Sequence, residues 1–220
     1  ISRGNEIITS LLTTALASLL FVQAAAHDLH VPTPERPSTI LTVAKEPATS
    51  AAVEKRDRMI LGYKVRLAQR PNDIDALGRL GMAELDQARA TEDPRFYSQA
   101  ESLFNAALAL DAKDYASLLG MGSLTLSRHD FKGALSWGQR GLDNYAESAP
   151  FLGVLVDASI ELGRYDDAST ALDRMLAAKP GVAAYSRASY LYELRGDYEN
   201  AIQAMNLAAN AGQPGSEEAA

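Results

Sequence analysis

Apolar stretches rich in alanine and leucine alternate along the chain with short polar breaks that contain glycine and proline. Because the Gly and Pro residues lie between the apolar stretches rather than inside them, the pattern favours helices over strands. Hydrophobic residues make up 47% of the 220 positions, which is enough to bury a sizeable core. The sequence therefore predicts an all-α fold.

An internal repeat organises the second half of the chain. An aromatic residue stands three positions before an alanine, and a turn-forming tripeptide precedes each of the last three aromatics. The pairs are Tyr97/Ala100, Phe131/Ala134, Tyr165/Ala168 and Tyr198/Ala201. The aromatics are separated by 131 − 97 = 34, 165 − 131 = 34 and 198 − 165 = 33 residues. A fixed period of this size is typical of helical repeat proteins.

This pattern resembles the tetratricopeptide repeat family, whose unit is about 34 residues long. The first-helix positions of that family are occupied by Leu77, Leu80, Gly81 and Glu84, by Leu118, Met121, Gly122 and Thr125, by Leu152, Leu155, Val156 and Ser159, and by Tyr185, Ala188, Ser189 and Tyr192. The resemblance implies a right-handed α-solenoid of helix-turn-helix repeats across residues 51–220. It implies a leading helix at 52–69, units at about 73–113, 114–147, 148–180 and 181–213, and the start of a further unit to 220.

Two local features refine this prediction. Gly163 and Gly196 fall where a helix must stop in a left-handed conformation, which glycine adopts at little cost. Between Gly81 and Ala100 the first unit has seven more residues than the next unit has between the equivalent positions. We expect the extra residues to form an elongated loop between the two helices, around residues 89–94.

The resemblance also implies a concave groove that receives an extended peptide or a partner helix. The first helix of each hairpin lines it, which makes the groove-facing candidates Arg79, Met82, Leu119, Ser123, Asp157, Glu161, Arg187, Tyr190 and Glu193. Tyr190 and Arg187 are the strongest of these, because Tyr and Arg are enriched at binding hot spots. The alternative is that they are only solvated helix faces. The Lys and Asn residues with which chaperone-binding members hold a terminal carboxylate are absent at the matching positions.

The N-terminal segment resembles a secretory signal peptide. Residues 7–26 carry no charge, Arg3 lies upstream, and Ala24 and Ala26 fit a cleavage site. We therefore expect residues 1–26 to be a signal peptide or a membrane anchor, and the Pro-rich residues 27–50 to be a linker. Either interpretation predicts that the repeat domain is exported, to the periplasm or the extracellular space.

Charge and chemistry exclude several functions. The net charge is −7 and no basic stripe occurs, which argues against nucleic acid as a partner. Cysteine is absent, which excludes thiolate catalysis and Cys-ligated metals. No catalytic or cofactor-binding motif is present, so we expect neither a catalytic residue nor a cofactor. If cleavage followed Ala26, the new amine with His27 and His30 would be able to bind copper, although we favour a plain polar tail and expect no metal site.

These observations predict a non-enzymatic scaffold or adapter at the cell envelope, with a protein or peptide as its partner. The alternative is the regulatory or substrate-docking arm of an enzyme whose catalytic domain lies beyond residue 220. Because each repeat buries its apolar face only against its neighbours, we also expect self-association through an uncapped face of the helix near 198–211.

Overall fold

The computed structural model describes residues 50–212 of the chain. Packing divides the chain into two units, residues 1–55 and 56–220, and only residues 50–55 of the first unit are described. The signal peptide or anchor at 1–26, the linker up to residue 49, the copper-binding candidates His27 and His30, and the further unit after residue 212 lie outside the described residues.

Residues 50–212 form nine helices and no strand, which confirms the prediction of an all-α fold. The helices are α1 (Ser50–Gln69), α2 (Ile74–Thr91), α3 (Arg95–Leu110), α4 (Tyr115–Ser127), α5 (Phe131–Asn144), α6 (Ala149–Glu161), α7 (Tyr165–Ala178), α8 (Val182–Leu194) and α9 (Tyr198–Ala211). Helices α2 to α9 form four consecutive hairpins, α2/α3, α4/α5, α6/α7 and α8/α9. The first helices of successive hairpins also contact one another, so the hairpins stack into an α-solenoid.

Aspartate residues begin four of the described helices. The side chains of Asp73, Asp114, Asp130 and Asp197 each accept a hydrogen bond from the backbone amide three residues later. An N-terminal cap of this kind satisfies an amide that has no partner inside the helix. These caps fix where the helices start, and therefore fix the register of the repeats.

The turn inside each of the last three hairpins contains one residue in the left-handed conformation. Gly163 and Gly196 have φ angles of +70° and +77°, as their positions predicted. The equivalent residue in the α4/α5 turn is His129, with a φ of +59°. The α2/α3 turn also has such a residue, Glu92, with a φ of +59°, so a non-glycine side chain adopts this strained conformation in each of the first two repeats.

The elongated loop expected around residues 89–94 is absent, and that prediction was wrong. Helix α2 continues to Thr91 and α3 begins at Arg95, so three residues connect them. The additional residues favour helix, and Ala88 is fully buried. The longer α2 also places Arg89 where its guanidinium donates to the Ser127 hydroxyl, at 3.3 Å. The insertion thus becomes an extra helical turn that touches the next repeat.

Small residues let the helices of each hairpin approach closely, as the repeated alanines predicted. Ala100, Ala134 and Ala168 are all fully buried. The ring of Phe104 is also fully buried, and it lies against Gly81 of α2 and Gly120 of α4. One aromatic side chain from α3 thus fills the space that two glycines leave open in two successive repeats.

Helix α1 packs on the first hairpin through an apolar contact and an ion pair. Ile60 is buried against Leu80 and Ala83 of α2. The Lys64 ammonium lies 3.0 Å from the carboxylate of Glu84, whose residue is only 1% exposed. One Glu84 oxygen makes this contact, while the other is buried without a hydrogen-bond partner within the described residues. A buried carboxylate of this kind depends strongly on its counter-ion.

Candidate partner-binding groove

The first two repeats contribute little free polar surface to the groove face. Arg79 of α2 is exposed but pairs with Asp75, one turn earlier on the same helix. Met82 is half-buried and packs against the cluster around Phe104. Leu119 of α4 is half-buried against the clusters on either side of it. The half-buried Ser123 uses its backbone carbonyl to accept a bond from the Ser127 hydroxyl.

A cross-repeat ion pair joins α6 and α8, the first helices of the last two hairpins. The Arg187 guanidinium donates to both carboxylate oxygens of Asp157, at 2.8 and 2.7 Å, and to the Ala183 carbonyl at 3.0 Å. It also lies over Gly153, where an added Cβ would be 3.4 Å from its central carbon. This bidentate pair connects two repeats. Arg187 is therefore already engaged with residues of its own chain.

Glu161 is the last residue of α6, and its environment differs from that of Asp157 on the same helix. The residue is half-buried, and its side chain forms no hydrogen bond or ion pair with the rest of residues 53–212. Burial raises the pKa of the Glu161 carboxyl above its ordinary value, and the nearby Asp157 adds to this effect. His129 acts in the opposite direction and lowers the same pKa. The carboxylate is thus partly desolvated, and no arginine or lysine among the described residues pairs with it.

Tyr190 on α8 lies beside this carboxylate. Its half-buried ring packs against the core cluster formed by α6 to α9, and its hydroxyl has no hydrogen-bond partner in the described part of the chain. Burial raises the pKa of the Tyr190 phenol, and the charge of Glu161 contributes to the shift. Tyr165 and Glu193 also contribute, so both residues lie near the ring. Glu193 itself is exposed.

Two residues near this carboxylate were absent from the sequence-based candidates. His129 belongs to the turn-forming tripeptide before Phe131, and its ring meets Phe131 edge-on at 5.6 Å. It also lowers the pKa of the Glu161 carboxyl in the next repeat. Tyr165, which was used only to identify the repeat, is partly exposed near Tyr190. An alignment of the repeats places His129 where the next two repeats have Gly163 and Gly196, and this departure from glycine is a signal in the sequence.

The contact between α6 and α8 therefore brings together the candidates from the last two hairpins, whereas Arg79 and Met82 lie apart on the first. Within residues 50–212, no group of three or more His, Asp or Glu side chains has an arrangement that could hold a metal ion. None of the described helices combines the length and the apolarity that a membrane span requires.

The chain matches one protein-family model over two ranges. The model described as tetratricopeptide repeat matches residues 85–149 and 154–217, which is more than half of the chain. The chain belongs to the tetratricopeptide repeat family. A search of curated proteins found no match.

Solved structures of other tetratricopeptide repeat proteins share the fold. TTC0263 from Thermus thermophilus is 17% identical, with a TM-score of 0.64, and the match covers 73% of this chain and 85% of that one. PilW, a type IV pilus biogenesis factor, is 15% identical with a TM-score of 0.60 and 76% coverage of each chain. YrrB, described as having an unusual peptide-binding site, is 17% identical with a TM-score of 0.51, covering 73% and 80%. These likenesses show that the fold is shared.

Proposed function

We propose that this chain is an exported, non-enzymatic adapter that binds a partner peptide or protein in its concave groove. Tyr190 is the observation that carries the proposal. Its ring is held by packing against the core, while its hydroxyl has no hydrogen-bond partner among the described residues. A tyrosine that is already ordered loses little side-chain freedom on binding, and it offers both an apolar face and a polar tip.

The neighbouring surface is consistent with this role. Leu119 and Ser123 of α4 and Tyr190 of α8 all lie on the first helices of their hairpins, and these helices contact one another in succession through α6. YrrB, which shares the fold, is described as having a peptide-binding site, and this supports the same use of the groove here.

Two further parts of the proposal rest on other observations. Export is supported by the uncharged residues 7–26 and by the small residues Ala24 and Ala26, and the envelope location is in keeping with the likeness to PilW. Self-association is supported by apolar side chains on the last described hairpin, where Leu194, Tyr198 and Ile202 are all exposed.

A selection from a random-peptide phage library tests the groove, with the full chain as bait. Peptides that bind the wild type should bind the Tyr190→Ala variant at least about tenfold more weakly, as expected for a hot-spot residue. The matched control is Tyr192→Ala, which removes an equally large side chain that is 38% exposed on the same helix. All three proteins should give the same helical circular-dichroism signal. Equal binding by both variants would exclude the groove.

A further inference from the structure

The carboxylates on the groove side differ in how the chain itself compensates their charge. Three of them have an arginine partner, in the pairs Asp75–Arg79, Asp86–Arg89 and Asp157–Arg187. Glu161 and Glu193 have no such partner within residues 53–212. Glu193 is exposed, where water solvates its charge, but Glu161 is half-buried. Glu161 is therefore the groove carboxylate that gains most from a cation supplied by another molecule.

The groups that face Glu161 come from three consecutive repeats. Asp157 lies one turn before Glu161 on α6 and Arg187 one turn before Tyr190 on α8, so the Asp157–Arg187 pair holds Glu161 and Tyr190 on adjacent turns of neighbouring helices. Tyr190 also packs against the core cluster that contains Ile160, the residue before Glu161. His129, in the α4/α5 turn, lowers the pKa of the Glu161 carboxyl, and Glu161 raises the pKa of Tyr190. Because Arg187 is committed to Asp157, the charges remaining close to the Tyr190 ring are negative, those of Glu161 and Glu193. A carboxylate beside an aromatic ring attracts a cation through both its charge and the ring face.

We infer that Glu161 and Tyr190 form a subsite for a cationic side chain, that of arginine or lysine, on the bound peptide. The inference rests on the proposed function, because it names the chemistry of one residue in the groove-bound partner. An organic cation fits this subsite better than a metal ion, since the described residues provide no metal-ligating cluster there. Arg187 has the separate role of holding α8 against α6 through Asp157.

Two short probes test the subsite without knowledge of the natural partner. One is acetyl-Gly-Arg-Gly-amide, and the other has citrulline, the uncharged isostere of arginine, in the central position. Titration of the full chain, followed by amide NMR shifts, should show binding of the arginine probe at least about fivefold tighter than binding of the citrulline probe. The largest shifts should fall at the end of α6 and in α8.

Glu161→Gln keeps the side-chain shape and removes the charge, so it should lower the affinity for the arginine probe to that for the citrulline probe. Glu199→Gln is the matched control, because it removes an exposed carboxylate from the first turn of α9. It should leave the preference for arginine unchanged. Affinity for the arginine probe should also fall as the solution is acidified, because protonation of Glu161 abolishes the attraction.

The two proposals fail in different ways. If the phage library gives peptides that depend on Tyr190, but wild type and Glu161→Gln treat the two probes alike, the cationic subsite is excluded and the adapter function stands. If the arginine probe binds at Glu161 while no selected peptide depends on Tyr190, Glu161 binds cations, but the peptide-binding function is excluded and with it the assignment of this subsite to a bound peptide. If neither ligand binds, both proposals are overturned.

Discussion

Gly120→Ala is expected to destabilise the protein even though alanine favours helices. The Cβ of an alanine at 120 would overlap the ring of Phe104. A Cβ built at Gly81 would be only 2.5 Å from the same ring, and the ring is fully buried, so it has little room to move away. Overpacking of a core costs up to about 3 kcal/mol. Alanine recovers about 1 kcal/mol of helix propensity. We therefore expect a net loss of about 2 kcal/mol.

Gly62→Ala provides the matched control for this substitution. Gly62 also lies inside a helix, but no atom is found within 4 Å of the position its Cβ would occupy. The helix-propensity gain should therefore appear alone, and stability should rise by up to about 1 kcal/mol. The same chemical change is thus expected to have opposite signs at two helical glycines.

Urea unfolding followed by circular dichroism measures both variants, and thermal unfolding gives a second reading. For a domain of this size, a loss of about 2 kcal/mol lowers the melting temperature by about 4–8 °C. Trimming the ring with Phe104→Leu should recover part of the loss in the Gly120→Ala background, because the two positions are in contact. If Gly120→Ala were as stable as the wild type, the close packing of Phe104 between two repeats would be refuted.

Two further substitutions test the turns and the leading helix. Gly163→Ala should lower the free energy of unfolding in urea by about 1 kcal/mol, because the φ angle is +70°, although no atom lies within 4 Å of the added Cβ. Gly163→Asn should lower it by less, since asparagine tolerates this conformation better. Equal stabilities of the two variants would contradict the conformational explanation. Lys64→Met should lower the free energy of unfolding by about 1–3 kcal/mol, because it leaves the buried Glu84 unpaired. Hydrogen exchange of the α1 amides should then accelerate, whereas the control Lys64→Arg should leave it unchanged. Unchanged exchange in Lys64→Met would refute the ion pair.

The order of the hairpins could be predicted from the sequence because each repeat needs the same kinds of residue at its helix crossing and at its turn. An alanine such as Ala134 must be small wherever two helices cross closely, and a residue such as Gly163 must adopt a positive φ wherever a turn reverses the chain. These requirements act locally and recur with every unit. They therefore leave a periodic signal that one sequence displays several times.

The exceptions arise where a residue departs from the repeat. The seven extra residues of the first unit carry no periodic signal, so the sequence analysis assigned them to a loop. Helix propensity and the burial of Ala88 extended α2 instead. A sequence comparison between repeats reveals that an insertion exists, but the local preferences of its residues decide which element receives it.

Pairing between charged groove residues is the property that the repeat pattern conceals most. Arg187 and Asp157 are 30 positions apart and were both predicted to face the groove, yet the sequence does not indicate that they satisfy each other. Because Arg187 pairs with Asp157, Glu161 remains partly buried with no arginine or lysine partner among the described residues. An uncompensated charge of this kind reduces the stability of the free protein, and a bound cation restores it. The proposed subsite therefore predicts that binding of a cation at Glu161 stabilises the last two hairpins.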